Sequence, residues 1–252
     1  MEKTEWVFGE ILIQEPMTAL TDLIITTVCL IGFYKLYNLS RQNDGYMKNF
    51  AYFVLFMGLG TLFAAILTHA FDYVFNPEQL TKAEIKELNW KNKFQINLHN
   101  LPNWVFNVIS TTLFEISVIQ RAKYYLKDYN FSIIKWFVVI ESTIISILLM
   151  NNLSYDIASI HIGIALFVVS MPLQVKIYKK YKAPDAKLLI IGSLIMLIVV
   201  PVMITKFEIT KWFNFNDISH VVIATTMYLF YLAGLNFYDN KLNEELSAKR
   251  IH

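Results

Sequence analysis

Five histidines occur in the 252 residues, and four of them stand at the edges of apolar runs beside carboxylates, amides or hydroxyls. His220 closes the run Asn214-Phe215-Asn216-Asp217-Ile218-Ser219-His220, just before a long apolar stretch. His69 and Asp72 stand at i and i+3 and share a helix face, as do His99 and Asn103 at i and i+4. His161 follows Asp156 by five residues, and Glu15, Thr18 and Asp22 repeat at i, i+3 and i+7. Ionisable groups this close to hydrocarbon are costly unless paired, and they mark sites or pathways. Neutral imidazoles with neighbouring carboxylates suit zinc, with three protein ligands and one open position for water. The plainer alternative is that each histidine makes its own hydrogen bond at a helix end.

The elements that must position these residues are membrane helices. The chain is 56% hydrophobic with a mean hydropathy of +0.44, too apolar for a soluble domain. Hydrocarbon about 30 Å thick needs about 20 apolar residues per helix. Windows meeting that demand are 17–37, 50–75, 101–120, 131–150, 156–175, 187–205 and 217–238. The expected fold is therefore all-α, one seven-helix transmembrane domain over 1–252. Alternating the spans leaves seven lysines and arginines on one side and fifteen on the other. The positive-inside bias then puts the N-terminus outside and the C-terminus in the cytoplasm. On that topology Glu15, His69, Asp72, His99, His161, Asp217 and His220 all gather in the outer third.

Other features follow in chain order. The acidic start (Glu2, Glu5, Glu10) has the wrong charge for a cleavable signal, and residues 1–14 read as a short interfacial helix or strap. Gly58, Gly60, Ala64 and Ala65 form a small-residue stripe for close helix packing. The charged 75–100 loop reads as partly helical, a lid over the outer mouth. Glu115 and Glu141 fall inside spans and read as structural. Pro201 predicts a kink in an aliphatic sixth span. Cys29 is the only cysteine, so neither a disulfide nor a cysteine-based zinc knuckle can form.

Four stretches, with a fifth beside them, resemble the CREST superfamily of seven-span membrane hydrolases, which includes alkaline ceramidases and adiponectin-receptor-like proteins. Glu15-Pro16-Met17-Thr18-Ala19-Leu20-Thr21-Asp22-Leu23 is similar to the first-span Glu-x-x-Asn-Thr-x-Ser-Asn-Leu of ceramidases. His69 stands where the family's second span ends in a zinc-ligand histidine. Leu98-His99-Asn100-Leu101-Pro102 resembles Leu-Asp-Glu-Leu-Pro, and Asn216-Asp217-Ile218-Ser219-His220 resembles the seventh-span His-x-x-x-His. Ile160-His161-Ile162-Gly163 is similar to a fifth-span histidine motif. Ala65 replaces the family serine, His99 its aspartate, and Asn216 the first seventh-span histidine.

The resemblance implies zinc held by His69, His220 and His99, with one position left for water of lowered pKa. Asp72 or Asp217 would act as general base or orient a ligand imidazole. Calcium is not expected, because Glu15 alone matches the acidic ligands that hold it in ceramidases. The implied reaction is hydrolysis of a lipid amide or ester reached laterally from the outer leaflet, and the lysine-, asparagine- and isoleucine-rich composition adds the expectation of a bacterial plasma membrane. The competing class is a non-enzymatic seven-span receptor or scaffold with a degenerate site. Retinal binding lacks a Schiff-base lysine in 217–238, and no inverted repeat suggests a transporter. Basic residues flank the spans as topology requires, so nucleic acid is not an expected partner. Oligomeric state stays open.

Overall fold

The computed structural model describes residues 4–9, 11–40, 45–75, 80, 82–127 and 129–249. The lid expected over 75–100 and the tail expected over 239–252 therefore lie partly outside the described residues. The chain opens with a β-hairpin of β1 (Glu5–Phe8) and β2 (Ile11–Gln14), paired antiparallel with Glu5 opposite Gln14 and Phe8 opposite Ile11. Of the interfacial helix or strap expected at residues 1–14, the described part is a hairpin and not a helix. Its alternating apolar and β-branched residues (Trp6, Val7, Phe8, Ile11, Leu12, Ile13) suit a pleated strand pair. Gly9, at φ +62°, takes the left-handed turn that joins the strands.

Helices make up the rest. They run α1 (Pro16–Ser40), α2 (Gly45–Phe63) continued by a π-helical turn (Ala64–Ala70), α3 (Asp72–Phe75), α4 (Lys82–Glu87) and α5 (Trp90–Asn97). Then come α6 (Leu101–Tyr125), α7 (Ser132–Asn152), α8 (Tyr155–Ile164) with a second π-helical turn (Ala165–Ser170), and α9 (Met171–Tyr181). α10 (Pro184–Met196), α11 (Val199–Thr205) and α12 (Phe215–Lys249) are the last elements among the described residues. Among the described residues, six continuous helical segments are long and apolar enough to cross a membrane. They are Pro16–Ser40, Gly45–Ala70, Ser132–Asn152, Tyr155–Tyr181, Pro184–Thr205 and Phe215–Asn240. The protein is an all-α integral membrane protein with a small N-terminal hairpin.

The third expected span, α6, is 25 residues long but is not one of the six. Its polar residues are turned inward: Asn103, Asn107, Ser110, Thr111, Glu115, Ser117 and Arg121 are all buried. α6 packs against α2, α7, α8 and α9, so protein rather than lipid surrounds this stripe. Burying polar groups requires partners, and Ser110 Oγ donates to the Phe53 carbonyl at 2.8 Å. The small-residue stripe of α2 allows that approach. A Cβ on Gly60 would stand 3.1 Å from Asn107 Nδ2, and one on Gly58 would stand 2.8 Å from Cys29 Cβ of α1. Thr26 of α1 and Thr61 of α2 join their hydroxyls at 2.9 Å across the same seam.

Aliphatic and aromatic side chains fill the centre, with Phe50, Phe53, Phe114 and Phe230 in mutual ring contact. α7 and the α10–α11 pair present outward rows such as Ile133, Trp136, Ile140 and Leu194, Ile198, Ile204, as lipid-facing helices do. The break between α10 and α11 falls at Leu197–Ile198, four and three residues before Pro201. Proline there removes the amide that would have bonded to Leu197.

Arg121 is one of the fifteen basic residues that the sequence places on the cytoplasmic side. Arg121 belongs to no loop; it is fully buried and ion-paired to Asp185, and its Nε donates to Asp185 Oδ2 at 2.6 Å. Gln174 accepts from Nη1, and the Tyr125 and Phe237 rings lie 5.1 and 5.9 Å from the guanidinium. Arg121 therefore drops out of the positive-inside comparison. The spacing of α6 carried a signal for this: Arg121 continues the polar stripe.

Candidate metal site at one end of the bundle

Three chain segments bring the site together. α1 starts, the π-helical turn ends and α12 starts at the same end of the bundle. Asp22 lies six residues past Pro16, about 9 Å along α1. His220 lies five residues past Phe215, about 8 Å along α12. His69 is the penultimate residue of the π-helical turn, where the Phe71 amide bonds back to the Ile66 carbonyl. Such turns are rare and recur at functional sites, because they rotate one side chain out of the regular helical row.

Asp22, His69 and His220 each offer a ligand atom within 4.8 Å of the other two. His69 Nε2 lies 3.7 Å from Asp22 Oδ2, and His220 Nδ1 lies 3.5 Å from Asp22 Oδ1. These separations are too long for good hydrogen bonds. They are close to the edge of a coordination tetrahedron, about 3.3 Å for bonds of about 2 Å. Asp22 Oδ2 has no hydrogen-bond partner although its side chain is only 3% exposed. The two imidazoles are 16% exposed, so the group is reachable from outside the core.

Neighbours fix the two imidazoles. Glu15 Oε2 lies 2.7 Å from His69 Nδ1, which leaves Nε2 facing Asp22. A carboxylate behind a ligand imidazole sets its tautomer and orientation. Glu15 holds this place at φ +44°, left-handed backbone that costs a non-glycine residue about 1–2 kcal/mol. The hairpin enforces it: the Glu15 amide donates to the Thr4 carbonyl at 2.8 Å, and fully buried Gln14 accepts from the Tyr73 amide at 3.2 Å. On the other imidazole, Thr21 Oγ1 lies 3.0 Å from His220 Nδ1. Asp217 is fully buried, accepts from the Asn214 amide at 2.7 Å, and interacts electrostatically with Asp22 and His69.

The remaining sequence candidates go elsewhere. His99 Nε2 lies 3.1 Å from Asp72 Oδ1, and its ring stacks on Phe75 at 4.9 Å, so His99 is not in the three-residue group. Asn103 accepts from Asn107 Nδ2 at 2.6 Å beside Gly60, a packing position. Asn216 lies in the first turn of α12, its amide donating to Asn214 Oδ1 at 2.8 Å. His161 leaves the outer cluster for a second group with Glu115 and Glu141. Asp22 was legible as an inward-facing acid on α1, but its position between two histidines was not. Nothing in the first 40 residues announces partners about 50 and 200 positions away.

No curated protein and no solved structure matches the chain. A family model does, under the description "Family of unknown function (DUF6962)", over residues 17–239. That match takes in α1 through most of α12, including Asp22, His69 and His220, and the chain belongs to this family.

Proposed function

We propose that this protein is a zinc-dependent membrane hydrolase that cleaves an amide or ester bond of a lipid. The observation that carries the reading is the convergence of Asp22, His69 and His220, with Glu15 behind His69. Two imidazoles and one carboxylate are a donor set suited to zinc, and they leave a coordination position free. Bound there, zinc would lower the pKa of water and polarise the scissile carbonyl. The chain's own residues do the rest: Glu15 holds the His69 ring, Thr21 borders His220, and Asp217 stands by to take a proton. His99 and Asp72 form a separate pair beside the site. The CREST resemblance supports the same reaction class, with Asp22 taking the ligand place expected of His99.

The reading includes a topology. α6 crosses with the six apolar helices, since its 25 residues fall within their range of 21 to 27 and its polar stripe is enclosed by protein. The hairpin end faces outward, and the exposed Trp6, Phe8 and Trp212 suit the membrane interface there. A bacterial plasma membrane is the proposed location.

The test uses detergent-purified protein, zinc analysis and acyl-amide and acyl-ester fluorescent lipids in mixed micelles. The expected result is zinc in the wild type and acyl release that Asp22→Asn, His69→Ala and His220→Ala each abolish. Zinc binding without turnover of either lipid class would favour the non-enzymatic reading. Full retention of zinc in the His69→Ala and His220→Ala variants would remove the site itself.

A further inference from the structure

A second group of ligand-type side chains lies inside the bundle, on three helices that do not contribute to the first. Glu115 of α6, Glu141 of α7 and His161 of α8 each place one ligand atom within 4.8 Å of the other two. Glu141 stands 11 residues before the end of α7, about 16 Å along the helix and near the middle of a hydrocarbon layer. Glu115 and His161 are fully buried, and Glu141 is 7% exposed.

The hydrogen bonding is incomplete. His161 Nδ1 lies 2.8 Å from Glu141 Oε1, and Nε2 lies 3.2 Å from Thr112 Oγ1. Thr112 has one hydroxyl proton and three acceptors in reach: the Val108 carbonyl at 3.0 Å, Ser142 Oγ at 3.2 Å and the imidazole. Glu115 Oε1, Glu115 Oε2 and Glu141 Oε2 have no hydrogen-bond partner. Buried carboxyl oxygens without partners are costly whether charged or protonated, because a carboxylic acid also needs an acceptor for its proton. Glu115 has none within reach. Both Glu115 oxygens are orphans, so whichever of them lies within 4.8 Å of the Glu141 and His161 ligand atoms is an unpartnered oxygen facing the group.

We propose that Glu115, Glu141 and His161 form a second, buried site for one divalent metal ion of the zinc class. Two carboxylates and a neutral imidazole cancel a charge of +2, which makes the loaded site neutral in a medium where net charge is expensive. Magnesium and calcium are disfavoured, since they take about six or more oxygen ligands and this dry site offers few. Zinc accepts four donors of mixed nitrogen and oxygen type. The ion would clamp α6, α7 and α8 just before the second π-helical turn. It stands independently of the hydrolase reading, because no residue is shared with the Asp22 site.

The experiment is zinc stoichiometry. Purified protein is stripped with chelator, loaded with zinc, freed of excess by gel filtration in detergent and measured by mass spectrometry of the metal. Wild type should hold two zinc ions per chain, and Glu115→Gln and Glu141→Gln one each. The His69→Ala/His220→Ala double variant, which leaves the second site intact, should also hold one. A double variant that holds none overturns the proposal, whatever happens to the folding of the glutamine variants. So does a wild type with one ion that Glu115→Gln leaves in place. One ion that only Glu115→Gln and Glu141→Gln remove supports this site and counts against the hydrolase site.

Discussion

Glu15 offers a perturbation whose effects on metal binding and on folding should separate. Its carboxylate lies 2.7 Å from His69 Nδ1, with side-chain exposures of 21% and 16%. A charge-assisted hydrogen bond contributes about 1.5–3 kcal/mol, and partial solvation places this one near the lower end. At about 1.4 kcal/mol per tenfold, losing it should weaken zinc binding about 10–30-fold, within the range for outer-shell partners of metal ligands. Glu15→Gln keeps an acceptor and should fall near tenfold. Glu15→Gly removes the side chain but also relieves the φ of +44°, a gain of about 1–2 kcal/mol set against about 0.5–1 kcal/mol of added chain entropy. Glu15→Gly should therefore bind zinc more weakly than Glu15→Gln while its metal-free form unfolds at or slightly above the wild-type temperature. The assays are competition against a chromophoric chelator and thermal unfolding of chelator-stripped protein. Zinc affinities unchanged within about twofold in both variants would refute the orienting role. A metal-free Glu15→Gly protein destabilised by several kcal/mol would instead make Glu15 a scaffold residue.

Other substitutions probe the rest of the bundle. His99→Asn and Asp72→Asn should leave zinc content unchanged, because that pair lies outside the Asp22 group; loss of metal in either would restore His99 as a ligand. Arg121→Met strands Asp185 in the core and should destabilise the protein by about 3–5 kcal/mol, most of it recovered in Arg121→Met/Asp185→Leu, as read from unfolding in detergent. Gly58→Ala drives a Cβ to 2.8 Å from Cys29 Cβ and should cost about 1–3 kcal/mol by the same assay. Removing zinc with chelator should lower the unfolding temperature of the wild type more than that of His69→Ala, since ligand bound to the native state alone stabilises it.

The sequence displayed the helices well because hydrocarbon imposes length and composition on each of them. Pro201 likewise announced the break that follows Met196, and the glycines of α2 announced its tight seams. What it concealed was depth and pairing. His161 reads as an interfacial histidine near the start of its helix, yet it meets Glu141, an acid read from the sequence as structural, because α7 and α8 pack antiparallel with a short link. Arg121 reads as a loop cation because it stands near a helix end, and only the tertiary arrangement supplies Asp185. The N-terminal strands were missed because a short apolar patch fits either period. The motif likeness pointed to His69 and His220, whose ring centroids lie 5.9 Å apart, but its third-span position led to His99 rather than across to α1.

The way this chain treats its buried acids separates structure from chemistry. Where a carboxylate serves packing, it is matched by a full cation: Asp185 faces Arg121, with Gln174 and two aromatic rings completing the enclosure. Asp22 and Glu141 are treated differently. Their ion pairs among the described residues are with imidazoles, which need not be charged, and Asp22 Oδ2, Glu141 Oε2 and both oxygens of Glu115 lack hydrogen-bond partners. A fold that can supply a guanidinium to one buried acid could have supplied it to the others if neutralisation were the only need. Imidazoles instead of guanidinium groups keep lone pairs available, and a lone pair beside an orphan carboxylate oxygen is what a divalent ion requires. The same contrast predicts the outcome of removing the charge there. Asp22→Asn should remove the negative charge and abolish zinc binding at this site, lowering the stoichiometry by one ion, while leaving the metal-free fold as stable as the wild type or more so, since an uncompensated acid has been replaced by a neutral amide.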